Sequence, residues 1–231
     1  MTPKLAAIFV SSWDIYQKII TYNYMRHKEM AEQTSAAFTA LDIDRPLRVL
    51  DFGCGDAQPM IPQLQLRPVA SYTGYDLSSS ALELAEQNLS RLECAYQLRC
   101  APMQSFVETE EGNFDVIHSS YAIHHLQDDE KKKLLQNCYA RLNAKGVMIM
   151  IDILRNEGQT KDEYIEEYID NIKATWQMVT EEEKQQVFDH MRNYDFPAVT
   201  GDVVNWATET GFTVQQHRID ERHTMLILEK S

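Results

Sequence analysis

The sequence of 231 residues has few cysteines, few glycines and no long apolar run. Its four cysteines form no Cys-x-x-Cys pair and have no histidine at zinc-finger spacing, so they predict free thiols in a reducing compartment. The longest apolar stretch, Val147 to Leu154, contains Asp152 and is too short to span a bilayer. The first residues also lack the charged-then-apolar pattern of a secretion signal. We therefore expect a cytoplasmic protein with no membrane partner.

Basic residues are scarce as well. The formal net charge is -13, and such a field repels phosphate backbones unless Lys and Arg concentrate on one face. The only lysine cluster, Lys131 to Lys133, directly follows three acidic residues, which is typical of a solvated helix start. No nucleic-acid partner is expected.

Short apolar runs alternate with helical patterns along most of the chain. The first strand is predicted at Leu47–Phe52, and others at 71–75, 96–100, 114–118 and 146–154. A helix is predicted from Ser79 to Arg91 with Ser78 or Ser79 as its N-cap, and another from Asp129 to Leu142. This alternation predicts the α/β class, with a doubly wound, mostly parallel sheet.

The length suits one α/β domain that carries an insertion rather than two domains with separate cores. We divide this single domain into N-terminal helices that act as a lid (1–45), a cofactor-binding core (46–154), a helical cap inserted after strand 5 (155–199), and a C-terminal helix and strand pair (200–231). In the last segment, Gly211 is predicted to end the helix in a left-handed conformation.

A glycine loop follows the first predicted strand and is the most informative stretch of the chain. It comprises Asp51-Phe52-Gly53-Cys54-Gly55-Asp56-Ala57, whose small residues let the backbone approach a ligand closely. Asp76 ends the second predicted strand, at a distance along the chain where a carboxylate can accept hydrogen bonds from a ribose diol. The glycines alone are equally explained by a tight turn.

At these residues the sequence resembles the class I, Rossmann-like S-adenosylmethionine-dependent methyltransferases. The resemblance implies S-adenosyl-L-methionine as cofactor, with the methionine part on the loop backbone around Gly53, Cys54 and Gly55. It further implies that Asp51 helps order the cofactor, that Asp76 holds the ribose and that Leu77 lies against the adenine. Gln58 at the third fingerprint position argues against the competing nicotinamide-binding interpretation.

The resemblance continues to about Ile153. Phe114 to Leu126 resembles the family's fourth motif, and Arg141 to Gly146 resembles the turn into its fifth strand, although here without proline. The third motif has Ala101-Pro102-Met103 in place of its common Asp, and Ala57 replaces a usual Gly. Adenine recognition is therefore assigned to the backbone amide of Met103 and to apolar contact.

Candidate catalytic residues follow the fourth strand. His124 or His125 could take a proton from the acceptor, although packing or capping explains such histidines more often. Tyr121 is a further candidate, and Ser119 is a candidate contact with the cofactor. No His-x-x-x-His, His-Glu-x-x-His or clustered Asp set is present, so no catalytic metal is predicted.

Two helical segments are rich in aromatic side chains and are expected to surround the acceptor. The lid candidates share the N-terminal helices and are Tyr16, Tyr22, Tyr24, Arg26 and His27. Tyr16 and Tyr24 also fit a plain packing stripe, so the other three are the better candidates for ligand contact. The cap contributes Tyr164, Tyr168, Trp176 and Met178, for which contact with the acceptor and core packing are weighed evenly.

Three functions remain open at this point. The first is methyl transfer to oxygen or nitrogen of a small-molecule acceptor, which the net acidity favours. The second is methylation of RNA or protein, which needs an open, charged approach. The third is a cofactor-binding protein without catalysis, since a fold does not by itself give a function. The acceptor and the oligomeric state are not predicted.

Overall fold

A computed structural model describes residues 13–230, so the predicted lid residues before Trp13 and the last residue of the C-terminal segment lie outside it. Within this range the chain forms a seven-stranded, mostly parallel sheet flanked by helices, which confirms the predicted α/β architecture. The strands are β1 (Leu47–Phe52), β2 (Val69–Asp76), β3 (Ala95–Cys100), β4 (Phe114–Ser120), β5 (Leu142–Ile153), β6 (Phe212–Arg218) and β7 (His223–Lys230).

The strand order β3-β2-β1-β4-β5-β7-β6 determines where a ligand can bind. Strand β1 pairs in parallel with β2 on one side and with β4 on the other. The chain therefore continues from β1 to one side of the sheet and from β4 to the other side. The crevice between these two strands lies at their carboxyl ends. Strands β6 and β7 close the far edge in antiparallel fashion.

The helices surround the sheet on both faces and are identified by their ranges: α1 (Trp13–Thr21), α2 (His27–Ala40), α3 (Ile61–Leu66), α4 (Ser79–Leu89), α5 (Phe106–Thr109), α6 (Asp128–Arg141), α7 (Lys161–Thr175), α8 (Glu181–Tyr194) and α9 (Thr200–Thr210). Ser78 caps α4 through its side chain, and Gly211 ends α9 at φ 113°, as predicted for both. Among these helices, none combines the length and the apolar character needed to cross a bilayer.

Some elements differ from the sequence prediction. The short helices α3 and α5 were not predicted, because four to six residues are too few to show a helical period. Strand β5 begins at Leu142 rather than at Gly146 because Phe114 of β4 already pairs with Leu142, before a register shift. Strand β4 also extends beyond its predicted end, as far as Ser120.

The N-terminal helix α1 and the cap helices α7 and α8 pack against each other at one end of the sheet. Ile15 and Ile19 of α1 belong to one buried cluster with Ile165, Ile169 and other apolar residues of α7 and α8. Such burial stabilises by roughly 25 cal/mol per Å² of apolar surface, so the predicted lid and cap support each other. Together these helices cover the carboxyl ends of β1, β2 and β4, and we call α1, α7 and α8 the roof.

Candidate active site

A cavity of about 250 Å³ lies beneath this roof, at the carboxyl ends of the strands. One wall consists of loops that follow β1, β2 and β3, and includes Gly53, Gly55 and Asp76. The opposite wall consists of side chains from α1, from the turn after β4, and from α7, α8 and the residues directly after these helices, such as Ile19 and Trp176. Two segments distant in sequence thus face the predicted cofactor loop across one space.

The two glycines of the loop are required for different reasons. Gly53 has φ +67°, and a Cβ there would meet the Cβ of Ala122 at 2.5 Å. Gly55 has φ +54°, but a Cβ there would meet nothing within 4 Å. Gly53 is therefore needed for close packing against the loop after β4, whereas Gly55 leaves open space at the cavity wall.

Asp76 lies beside the glycine loop with both carboxylate oxygens oriented by the backbone. Its Oδ2 accepts a hydrogen bond from the amide of Gly55 at 2.9 Å, and its Oδ1 accepts one from the amide of Ser78 at 2.8 Å. Burial raises the pKa of Asp76, while these backbone amides oppose the rise. Each carboxylate oxygen has room for a second donor, so a ribose diol can bind here.

An apolar slot adjoins Asp76. Leu77 and Met103 line it together with Ala101 and Pro102, and an adenine ring has the flat, apolar faces that such a slot accepts. The open space at Gly55, the oriented carboxylate of Asp76 and this slot fit S-adenosylmethionine. This side of the cavity is therefore the candidate cofactor site.

Three predicted cofactor residues do not line the cavity. Asp51 is buried below the loop, where its carboxylate lies 2.7 Å from both the Tyr72 hydroxyl, which donates to it, and Nδ1 of His118. Cys54 is buried in the core. The Ser119 hydroxyl donates to the Phe52 carbonyl at 3.2 Å.

These three side chains lie behind the glycine loop and do not face the cavity. The expectation that Cys54 and Ser119 contact the cofactor directly is therefore corrected. Because β4 runs two residues further than predicted, Ser120 rather than Ser119 reaches the cavity. Asp51 fits its expected role of ordering the site, and it does so by fixing the end of β1 through Tyr72 and His118.

The N-terminal helices present a different set of side chains from the expected one. Tyr16 lines the cavity with Ile15, Ile19 and Met25, so part of the presumed packing stripe is the ligand-facing surface. Burial and, secondarily, nearby carboxylates raise the pKa of its hydroxyl well above the ordinary value, so it stays protonated.

The side chains favoured for ligand contact lie elsewhere, which corrects that hypothesis. Arg26 forms ion pairs with Asp220 and Glu29. The ring of Tyr24 stacks on that of Trp176, with 5.2 Å between the ring centroids, and Tyr22 is exposed beside Tyr24. All three follow the end of α1 at Thr21, and none of them lines the cavity.

His27 lies behind the cavity wall between two aromatic rings, those of Tyr16 and Tyr121. Neither of its ring nitrogens has a hydrogen-bond partner within the described residues. Burial, and secondarily the nearby His223, lower its pKa to about 4, so the ring is neutral at physiological pH.

Tyr121 joins the end of β4 to the lid. It has φ 53°, a left-handed conformation that costs a non-glycine residue energy and that clusters at functional sites. Its hydroxyl donates to the carbonyl of Met25, and its ring lines the cavity. Burial raises the pKa of this hydroxyl well above its ordinary value, so it stays protonated and keeps its hydrogen bond to the lid.

A group of three histidines and one carboxylate forms the polar part of the opposite wall. We call His124, His125, His190 and Asp195 the histidine cluster; all four line the cavity. His124 is fixed by Asp152, whose Oδ1 lies 2.5 Å from Nδ1 and whose Oδ2 accepts the backbone amide at 2.9 Å.

Charges within the histidine cluster influence each other. Although burial raises the pKa of Asp195, the three histidines hold it well below its ordinary value. Burial lowers the pKa of His124, but Asp152 and Asp195 outweigh this effect and raise it. For His125, burial and the neighbouring His124 lower the pKa.

The sequence pointed to His124 and His125 but not to His190, to Asp195 or to the partner role of Asp152. His190 and Asp195 lie in and just after α8, far along the chain from the other two histidines. No local spacing motif can connect such positions, so only the folded cap brings them together. The grouping of His124, His125 and Asp195, whose donor atoms lie within 4.8 Å of one another, also differs from the expectation that no metal-binding set is present.

Comparison with known proteins agrees with this geometry. Residues 49–146 match the family model of a methyltransferase domain. The phosphoethanolamine N-methyltransferase of Plasmodium falciparum is 27% identical over 170 residues, covering 73% of this chain and 61% of the relative. The chain thus spans less than two thirds of that relative's length.

Solved structures share the fold at low sequence identity. An O-methyltransferase family protein from Burkholderia thailandensis superposes with a TM-score of 0.65 at 15% identity, covering 88% of this chain and 56% of that one. A cyclopropane synthase from Mycobacterium tuberculosis gives 0.62 at 14% identity, covering 86% and 83%. At these identities the likeness concerns the fold alone.

Proposed function

We propose that this chain is a class I S-adenosylmethionine-dependent methyltransferase that transfers the cofactor's methyl group to an oxygen or nitrogen of a small-molecule acceptor. The observation that carries the proposal is the roofed cavity, in which the cofactor wall around Asp76 faces the histidine cluster. When bound, the cofactor supplies a methyl group activated by a positive sulfur. The chain then has to hold both reactants in line and to exclude water.

The wall opposite the cofactor site favours an apolar acceptor without phosphate. Its aliphatic part consists of Ile15, Ile19, Met25, Ile172 and Val187. Among the described residues that line the cavity there is no Lys or Arg, whereas phosphate recognition usually employs such cations. The acceptor named for the Plasmodium relative is therefore not the one that this wall favours.

The histidine cluster is the place for the reacting group of the acceptor. It is a polar group in a mostly apolar wall, so an acceptor hydroxyl or amine finds hydrogen bonds there. A neutral imidazole such as that of His125 can take the acceptor's proton, since burial lowers the pKa of His125. Lid and cap exclude water from this contact.

The test has a binding arm and a transfer arm. Isothermal titration with S-adenosylmethionine is expected to give saturable heat, and NAD none. Methyl-labelled cofactor is then offered with a panel of apolar phenols and amines, with phosphorylated amines such as phosphoethanolamine, and with total RNA and peptides. We expect transfer to the first group only.

Each other outcome points to a named alternative. Labelled RNA or peptide would support the macromolecular acceptor, and binding without any transfer would support a cofactor-binding protein without catalysis. Absence of heat with S-adenosylmethionine would overturn the proposal itself. Cytoplasmic location stays a prediction, supported by the four free thiols.

A further inference from the structure

Three members of the histidine cluster, His124, His125 and Asp195, have donor atoms within 4.8 Å of one another, as the ligands of one ion do. Oδ1 of Asp195 lies 3.2 Å from Nδ1 of His125, 3.3 Å from Nε2 of His190 and 3.6 Å from Nε2 of His124. These groups come from three places: the turn after β4, helix α8 and the residue that follows α8. Three imidazoles thus surround a single carboxylate oxygen.

These separations are those of metal ligands rather than of strong hydrogen bonds. Charge-assisted N–H···O bonds are about 2.7–2.9 Å long. By contrast, ligand atoms bound tetrahedrally at about 2.0–2.1 Å stand about 3.3–3.4 Å apart. In addition, Oδ1 of Asp195, which is 4% exposed, has no hydrogen-bond partner of acceptable geometry among the described residues.

The surroundings of His124 supply a second, independent indication. Asp152 engages Nδ1 of His124, which leaves Nε2 directed towards Asp195. A carboxylate behind the ring is how proteins commonly orient a metal-binding histidine and increase its basicity. Nδ1 of His125 also lies 3.2 Å from the carbonyl of Tyr194, a contact that would be exchanged for the metal.

We propose that His124, His125 and Asp195 bind one divalent transition-metal ion of the zinc type, with His190 beside Asp195. Imidazole with one carboxylate suits Zn²⁺, Co²⁺ or Fe²⁺, whereas Mg²⁺ and Ca²⁺ prefer oxygen ligands. Metal binding is independent of the proposed function. If that function also holds, an oxygen or nitrogen of the acceptor would bind the ion at an open position, and the metal would lower the acceptor's pKa in place of a histidine base.

The proposal is tested by titrating chelator-treated protein with Co²⁺ and recording the visible spectrum. We expect one equivalent to produce d–d absorption of tetrahedral intensity, which Zn²⁺ abolishes by displacement. Asp195→Asn and His124→Gln are expected to weaken Co²⁺ binding by more than ~100-fold, and Asp152→Asn by roughly 10- to 100-fold.

Matched controls lie close by. Asp189→Asn changes an exposed carboxylate on the same helix as His190, and His217→Gln changes a histidine on β6; both should bind Co²⁺ like the wild type. Titration with S-adenosylmethionine shows that each variant is folded and tests the cofactor site separately. Absence of Co²⁺ absorption in the wild type, or wild-type affinity in folded Asp195→Asn and His124→Gln variants, would overturn the metal site.

Discussion

The two walls of the cavity are built in different ways. The cofactor wall uses backbone amides, glycines and one carboxylate, all at the ends of neighbouring parallel strands. The opposite wall uses side chains from α1, from the turn after β4 and from α7 and α8, which lie far apart in the chain. The first wall is therefore part of the sheet scaffold, whereas the second depends on how the roof packs.

Because the two walls are built differently, substitutions in each wall should have different effects. Changes to the cofactor wall should act on cofactor affinity or on the stability of the sheet. Changes to the roof should leave cofactor affinity nearly intact. The four predictions below test this separation, beginning with the largest expected effect.

Asp76→Asn should weaken S-adenosylmethionine binding by roughly 100-fold. The amide replaces a carboxylate whose hydrogen bonds to the ligand contribute about 1.5–3 kcal/mol each, and its NH₂ group cannot accept from Gly55 or Ser78. Isothermal titration measures the change. Glu83→Gln, an exposed change on the adjacent helix α4, serves as the control. Equal affinity of the two variants would remove Asp76 from the site.

The sequence predicted this wall because its parts are local. The glycine loop and Asp76 each follow a strand directly, so the pattern of strand and small residues locates them. The opposite wall escaped prediction where its geometry depends on the cap, as at His190 and Asp195. The error at Ser119 had a smaller cause, since strand ends are uncertain by a few residues.

Gly53→Ala should destabilise the fold by about 2–3 kcal/mol, because a Cβ adds left-handed strain and collides with Ala122. Gly55→Ala should cost only about 1 kcal/mol of stability but reduce cofactor affinity, since its methyl group enters the open cavity. Urea unfolding and titration measure both. The double variant Gly53→Ala with Ala122→Gly should recover the part of the lost stability that is due to the collision. No recovery would mean that backbone strain alone causes the loss.

His27 should make stability depend on pH. Its folded pKa of about 4 lies below the ordinary 6.5, so the unfolded chain takes up the proton first as the pH falls. His27 therefore has almost no effect on the free energy of unfolding above about pH 6.5. Between pH 7 and pH 5 its protonation in the unfolded chain should lower that free energy by about 2 kcal/mol. Urea unfolding of wild type and His27→Phe isolates the effect. An identical pH slope in both proteins would contradict a buried neutral His27.

Thr180→Ala should have the smallest effect and acts only on the roof. Thr180 caps α8 by accepting the amide of Glu183, and losing such a cap costs about 1 kcal/mol. Thermal unfolding should detect this loss, while cofactor affinity should stay within about twofold of the wild type. A large loss of affinity would show that cap and cofactor wall are energetically coupled, against the separation described above.

The central claim is that one cavity holds the cofactor at the strand ends and presents its sulfur to the histidine cluster. A crystal structure with S-adenosylhomocysteine tests it most directly. The account predicts ribose hydroxyls within hydrogen-bond distance of the Asp76 carboxylate, adenine between Leu77 and Met103, and sulfur facing His124 and His125. Density for the ligand outside this cavity, or with its sulfur turned away from the cluster, would contradict the account.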